Sequence, residues 1–393
     1  MMNCLQSYEK KRIFASNMTK NIIGFDAKRI VRNGTGLGSY GRTLVNDLAQ
    51  RQDLELRLYA PDKGRVDLRS QIIERPNVSF CYPHGGHLRG AWWRMTGMVV
   101  DLQRDGVQLY HGLSGELPIG IQKSGIRSVV TIHDLIFLRH PEFYHWVDTK
   151  IYDWKFRQTL KEADHIIAIS ECTKRDILYY GDVDERKVSI IYQSFAPRFS
   201  AEVSEEQRSQ VRQLYQLPQR YILNVGSIEA RKNVLQAVQA LPLLPDDVAL
   251  IIVGRHTPYT DRVLQYVCEH HLEKRVCILH GVPDEHLPVL YALAESFVYP
   301  SVYEGFGIPI IEAISCGLPV VACSGSCLEE AGGPDSLYVQ PGDVEAMADA
   351  IRQTLVGSAD RQQRIEDSKK YIRRFSGCSV ADQVATIYRQ LLG

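Results

Sequence analysis

The chain has 393 residues, 45% hydrophobic and 23% charged. That is the mix of a soluble globular enzyme, and the length exceeds what one growing hydrophobic core fills, so two domains are expected. Its 46 basic and 46 acidic side chains cancel, which removes support for bulk nucleic-acid binding. The cancellation hides an asymmetry: residues 1–200 hold 29 Lys+Arg against 22 Asp+Glu, and residues 201–393 hold 17 against 24, so one half carries +7 and the other −7. Ordinary surface variation is the plain account; attraction to an anionic surface or acceptor is the sharper one. The nine cysteines are scattered as reduced cytosolic thiols are, and Cys316, Cys323 and Cys327 lack a C-x-x-C pair, so they read as small buried thiols and not as a metal site. No run approaches the roughly 18 apolar residues of a membrane span. Residues 1–20 lack the apolar core of a signal peptide and read as an N-terminal extension, with Met18 an alternative start.

From residue 21 onward, short β-branched runs alternate with amphipathic stretches, the pattern of parallel sheets built from βαβ units. The expected strands of the first half are NIIGFDA, LELRLYA, NVSFCYP, VQLYHG, RSVVTIHD, HIIAIS and VSIIY. A second series restarts with RYILNVGS, VALIIVG, VCILHG, SFVYPS, LPVVAC and SLYVQP. The stretch 197–219 between them is polar and suits an interdomain connection with a short helix. Domains are expected over 21–197 and 220–376, followed by 377–393, a helix with Val380, Val384, Ile387 and Leu391 on one face that crosses back. Two doubly wound domains face the carboxyl ends of their sheets across one crevice, which is where such sheets bind ligands.

The glycines of NGTGLGSYG, Gly36, Gly38 and Gly41, spell the G-x-G-x-x-G of a dinucleotide-binding turn. Such a turn follows its strand directly and has an acidic residue at the end of the next strand. Here KRIVRN intervenes and the nearest candidate, Asp62, lies beyond a proline, so the fingerprint is read as accidental. In residues 87–103, Leu88, Trp92, Met95, Val99 and Leu102 share a helical face, which favours a core helix over an acceptor-lining or membrane-touching role for Trp92 or Trp93. His84 and His87 of HGGH read as loop residues. His133 of TIHDL closes a strand, where a histidine is commonly a structural hydrogen-bonder. Ser170 of AISECTKRDIL reads as a helix N-cap. The DVD at 182–184 sits in a polar loop as a solvated turn, so no obligatory metal is expected.

The most specific segment is SVYEGFGIPIIEAISCGLPVVAC, residues 301–323. Pro309 suits the first position of a helix, which places Glu304 in the preceding loop and Glu312 in the first turn. Gly305 and Gly307 let a ligand touch the backbone. Two carboxylates that only accept hydrogen bonds, beside a helix start with unpaired N–H groups, can grip sugar or ribose hydroxyls next to a phosphate. Either Glu alone would be explained by complementing the helix dipole. The ensemble E-G-F-G-x-P-x-x-E with its following G-L-P-V-V resembles the E-x7-E signature of the retaining glycosyltransferases of the GT4 family, which have the GT-B fold. NVGSIEARKN is similar to that family's strand, Gly-Ser turn and Arg-Lys pair.

The resemblance spans nearly the whole chain from residue 21. It implies α/β architecture of GT-B type, with the acceptor on the first domain and the nucleotide sugar on the second. It implies that Glu312 holds the ribose, Glu304 the donor sugar, and Arg231 and Lys232 the departing diphosphate. Gly226, Ser227 and the Gly305-Phe306-Gly307 turn would line the donor site. Gly36, Leu37 and Gly38 would form the glycine-rich loop over the donor phosphate, with the N–H of Gly38 best placed. His133 would lie near the transferred sugar. The implied reaction is retaining, metal-independent hexosyl transfer by a front-side mechanism, with no cofactor beyond the nucleoside diphosphate sugar. The GLGSY loop and TIHDL incline the donor toward GDP-mannose and the role toward polysaccharide biosynthesis. The acceptor would be a glycan or a lipid-linked glycan, with the protein cytoplasmic and peripheral at the inner membrane face. The competing readings are a sugar-nucleotide epimerase or hydrolase of the same architecture, and a catalytically silent nucleotide-sugar-binding protein.

Overall fold

The computed structural model describes residues 20–83, 90–375 and 379–393. Both HGGH histidines and most of the N-terminal extension lie outside the described residues. The first sheet contains β1 (Asn21–Asp26), β2 (Leu54–Tyr59), β3 (Val78–Cys81), β4 (Leu109–Gly112), β5 (Arg127–Ile132), β6 (His165–Ala168) and β7 (Val188–Ile190), in the order β3-β2-β1-β4-β5-β6-β7. The second contains β8 (Arg220–Val225), β9 (Val248–Val253), β10 (Val276–Leu279), β11 (Ser296–Tyr299), β12 (Val320–Cys323) and β13 (Leu337–Val339), in the order β10-β9-β8-β11-β12-β13. Every strand pairing is parallel. Each sheet therefore reverses its strand order once, between β1 and β4 in the first and between β8 and β11 in the second. The sequence of β9, VALIIV, is buried along its whole length, as a parallel strand covered on both faces requires.

The helices that position the site are α1 (Lys28–Arg32), α2 (Gly36–Leu48), α3 (Trp146–Glu162), α4 (Glu171–Tyr180), α5 (Glu205–Leu214), α6 (Ile308–Ser315) and α7 (Val380–Leu392). No helix among the described residues is long and apolar enough to cross a membrane. Between the two sheets, α5 starts at a Ser204–Gln207 capping box. Its Val211 and the preceding Phe199 are buried in the second domain's core, so the connection is docked along its length.

Helix α7 packs on the first sheet: Val384, Ile387 and Tyr388 join Ile23, Phe25, Leu44 and Leu48 in one core. The Tyr388 hydroxyl lies 2.6 Å from Nδ1 of the fully buried His111, whose Nε2 is 2.8 Å from Thr131 Oγ1. Thr131 Oγ1 is in turn 3.1 Å from the Tyr40 hydroxyl of α2. Another core runs through both domains, bringing Ile136, Ile169 and Cys172 against Tyr303, Phe306 and Ile310.

Two local expectations are corrected. The segment after residue 90 is not one regular helix: a π-turn over Trp93–Gly97 precedes the helix Met98–Arg104. The extra residue per turn rotates the face, so Trp93, Met98 and Leu102 are buried while Trp92 is exposed. Trp93 cannot meet an acceptor or a membrane, because its indole donates to Asp101 at 2.6 Å inside the domain. Helix α6 begins at Ile308, one residue earlier than expected, because Gly307 caps it in the left-handed region at φ 116°. Pro309 is thus second, and Glu312 stands just past the first turn.

Candidate active site

Several of the sequence-predicted residues stand just past the carboxyl ends of strands in the two sheets. Gly226 and Ser227 follow β8, Glu304 follows β11, and His133 follows β5. Arg231 and Lys232 lie in a 3-10 turn after β8, and both converge on Glu304, which is 72 residues beyond Lys232 in the chain. Lys232 Nζ stands 2.8 Å from Glu304 Oε1, and Arg231 Nη1 stands 3.0 Å from Oε2. The hydroxyls of Ser301 and Tyr299 donate to Oε1 at 2.8 and 3.1 Å. Burial alone would raise the Glu304 carboxyl, but Lys232 and Arg231 outweigh it and hold it at about 2. Burial likewise opposes charge on Arg231 and Lys232, and Glu304 raises both above their ordinary values.

The arrangement leaves capacity for a ligand. Oε1 accepts three hydrogen bonds while Oε2 accepts one. Lys232 uses donors on Glu304 and on the Tyr299 hydroxyl at 2.7 Å, which leaves a third N–H. Arg231 also binds the Tyr303 carbonyl through Nη1 at 2.5 Å and keeps further donors in its fork. Both cations can therefore meet a diphosphate without releasing Glu304, and Oε2 can accept a sugar hydroxyl.

Glu312 has a different environment. Its Oε2 accepts from the Tyr291 hydroxyl at 3.3 Å, and burial pushes its carboxyl up to about 7, against the weaker pull of that hydroxyl and of Arg198. The Phe306 side chain is buried, stacked on Tyr192 and edge-on to Phe375, so it packs the core beneath the turn.

The first domain approaches closely at Gly305. A Cβ there would lie 2.1 Å from the His133 carbonyl oxygen. Ser170 caps α4 as expected and also donates to the Gly305 carbonyl at 2.7 Å, which adds an interdomain role that its sequence context did not show. Gly305→Ala must push the loop carrying Glu304 away from the first domain. We expect kcat to fall by about a hundredfold with the fold retained, since a displacement near 1 Å has that effect. Circular dichroism with steady-state kinetics checks it, and wild-type turnover in the variant would show that the contact is dispensable.

The imidazole of His133 sits edge-on to Tyr40, at 4.8 Å between centroids. Its Nδ1 accepts from Gln193 at 3.0 Å, so Nε2 carries the proton and donates to the Leu113 carbonyl at 2.9 Å. Burial, only partly offset by the Leu113 bond and reinforced by Arg29, lowers it to about 4. His133 is thus a neutral, fixed ring and no proton shuttle near neutrality. In the glycine segment, Gly36 and Leu37 open α2 with N–H groups that have no carbonyl a turn earlier. The N–H of Gly38, expected to be the best placed, donates to the Thr35 carbonyl at 3.0 Å. Gly38 is a glycine for packing: a Cβ would lie 1.9 Å from the Asn33 carbonyl. Asp134, which sequence reasoning missed, lies near enough to Arg231 and Glu304 to feel both charges, although burial dominates and raises its carboxyl.

A model described as "Glycosyl transferases group 1" matches residues 206–371, and one described as "Glycosyltransferase Family 4" matches residues 34–196. The chain is 30% identical over 381 residues to O-antigen chain mannosyltransferase B of Escherichia coli, covering 91% of this chain and 96% of that one. It is 29% identical over 332 residues to O-antigen chain mannosyltransferase RfbU of Salmonella typhimurium, covering 82% and 88%. Among solved structures, sucrose-phosphate synthase from Thermosynechococcus elongatus is similar with a TM-score of 0.76 at 21% identity, over 95% of this chain and 99% of that one. HepE of Anabaena, in complex with UDP and glucose, is similar with a TM-score of 0.74 at 18% identity, over 95% and 100%. The protein is a glycosyltransferase of GT-B fold. Within that class the chain belongs to the GT4-type family, group 1.

Proposed function

We propose that the protein transfers a hexosyl group, with GDP-mannose as the donor, to a hydroxyl of a glycan or lipid-linked glycan, with retention at the anomeric carbon and without an obligatory metal. The observation that carries the reading is Glu304 held ionised between Arg231 and Lys232, with donors to spare on both cations and one carboxylate oxygen open. The names of the two O-antigen mannosyltransferases support mannose as the sugar. The GDP assignment continues the inclination taken from GLGSY and TIHDL.

In this reading Glu312 accepts from the ribose hydroxyls and Glu304 Oε2 from a hydroxyl of the donor sugar. As the glycosidic C–O bond breaks, negative charge grows on the diphosphate, and Arg231 and Lys232 stabilise it. The acceptor oxygen attacks from the same face, and its proton passes to the leaving phosphate oxygen. Glu304, committed to two cations, does not act as a nucleophile. A lipid-linked acceptor brings the protein to the inner membrane face, where Trp146 and Trp154 of α3 are exposed beside Lys150 and Arg157.

The test is transfer from GDP-mannose, UDP-glucose and ADP-glucose to free and vesicle-borne glycans, with the product linkage read by NMR. We expect turnover with GDP-mannose, an α-linked product, vesicle binding and full activity in chelator. An inverted product or loss of activity in chelator would overturn the corresponding part. Consumption of donor without transfer would return the epimerase or hydrolase reading.

A further inference from the structure

The first sheet has its own point of strand reversal, and its residues are not all accounted for by the site above. Asp26 ends β1, with Lys28 and Arg29 just beyond it; beyond β4 lies Glu116. Arg94, in the π-turn, binds both acids: its Nη2 is 2.5 Å from Asp26 Oδ2 and 3.1 Å from Glu116 Oε2. Lys155 of α3 takes the other oxygen of Glu116 at 3.1 Å. Asp26 Oδ1 further accepts from the backbone N–H of Lys28 at 3.0 Å.

The two carboxylates are thus engaged by Arg94 and Lys155, and two more cations stand beside them. Among the described residues, neither the Lys28 ammonium nor the Arg29 guanidinium makes a hydrogen bond or ion pair, and both side chains are half-buried. Four cations against two carboxylates leave this corner about two charges positive. Its discomfort shows at Lys28, where burial and then Arg94 lower the ammonium more than Glu116 and Asp26 raise it. Arg29 stands near enough to His133 to disfavour its protonation. Half-buried cations without partners are costly unless an anion joins them, and strand reversals are where such sheets bind ligands.

We infer that Lys28 and Arg29 form a phosphate-binding pair at the β1–β4 reversal of the first domain. The phosphate can come from the donor's diphosphate, reaching across the crevice, or from the acceptor; the latter choice rests on the transferase reading. Arg29 supplies a planar fork and Lys28 a point charge, a combination suited to phosphate oxygens.

The experiment is calorimetric titration of the full chain, first with GDP, UDP and ADP, then with inorganic pyrophosphate on protein saturated with whichever nucleotide binds. It is repeated on Lys28→Gln, Arg29→Gln and Lys28→Arg. We expect each Gln variant to weaken one of the two titrations about tenfold, since a charged hydrogen bond contributes on that order. Lys28→Arg should retain binding. A weakened nucleotide titration identifies the donor as the source, and a weakened pyrophosphate titration alone identifies the acceptor side. Unchanged values in both titrations for both Gln variants would overturn the inference. Failure of the wild-type protein to bind any nucleoside diphosphate would instead overturn the transferase reading.

Discussion

Glu304→Gln is expected to lower kcat by about a thousandfold while nucleoside diphosphate binds as well as, or more tightly than, it does to the wild type. Loss of one well-placed electrostatic group in a closed site has an effect of that order. The dissection follows from the geometry. Oε2 is lost as a charged acceptor for the sugar, while Arg231 and Lys232 are freed to bind phosphate with all their donors. The same change leaves two largely buried cations without their carboxylate, so stability should drop by about 3–5 kcal/mol. Saturating nucleotide should restore part of it, because a diphosphate replaces the missing charge. The measurements are kcat, calorimetric Kd and thermal unfolding with and without nucleotide. A variant that keeps a tenth of wild-type kcat, or loses nucleotide affinity in step with kcat, would remove Glu304 from the sugar.

Glu312→Gln should separate binding from stability in the opposite sense. The folded carboxyl titrates at about 7, against 4.5 for the free group, so the native state holds its proton more tightly than the unfolded chain does. Stability therefore falls as pH rises from 4.5 to about 7, and the penalty is fully present above that window and absent below it. At about 1.4 kcal/mol per pH unit of displacement, the penalty is on the order of 3 kcal/mol. The variant should unfold about 5 °C higher than wild type at roughly pH 8 and show no gain in acid. Its nucleotide affinity should fall by about ten- to a hundredfold, as an ionised acceptor is replaced by a neutral amide beside two ribose hydroxyls. In the wild type that affinity should rise with pH through about 7, whereas in the variant it should stay flat. Unfolding curves and calorimetry across pH test both halves, and a variant whose affinity matches the wild type would take Glu312 out of the ribose site.

Much of this was legible in the sequence for identifiable reasons. Buried parallel strands have apolar runs bounded by polar turns, so all thirteen strands stood out, down to the three residues of β7. Glu304, Gly305, Gly307 and Glu312 are close in sequence, so their motif could be read as one object. Helix register was harder, since a single π-turn over Trp93–Gly97 rotated the expected face. Long-range relations were not legible at all. Nothing local to ARK announces that both cations grip the distant carboxylate of Glu304, or that Gly305 is a glycine because the His133 carbonyl occupies its side-chain space. That Lys28 and Arg29 make no hydrogen bond or ion pair among the described residues is likewise beyond local reading, since it depends on Arg94 and Lys155 having taken Asp26 and Glu116.

The return of α7 to the first sheet bears on how the chain is made. Val384, Ile387 and Tyr388 fill the same core as Ile23 and Phe25, and Tyr388 closes the hydrogen-bond series that runs through His111 and Thr131 to Tyr40. Domains commonly complete themselves in the order in which they leave the ribosome. Here that order is inverted at the last step: the second domain has its strands in hand by residue 339, whereas the first waits for residue 388. Until then a nascent chain carries an open apolar face on its earlier-made half.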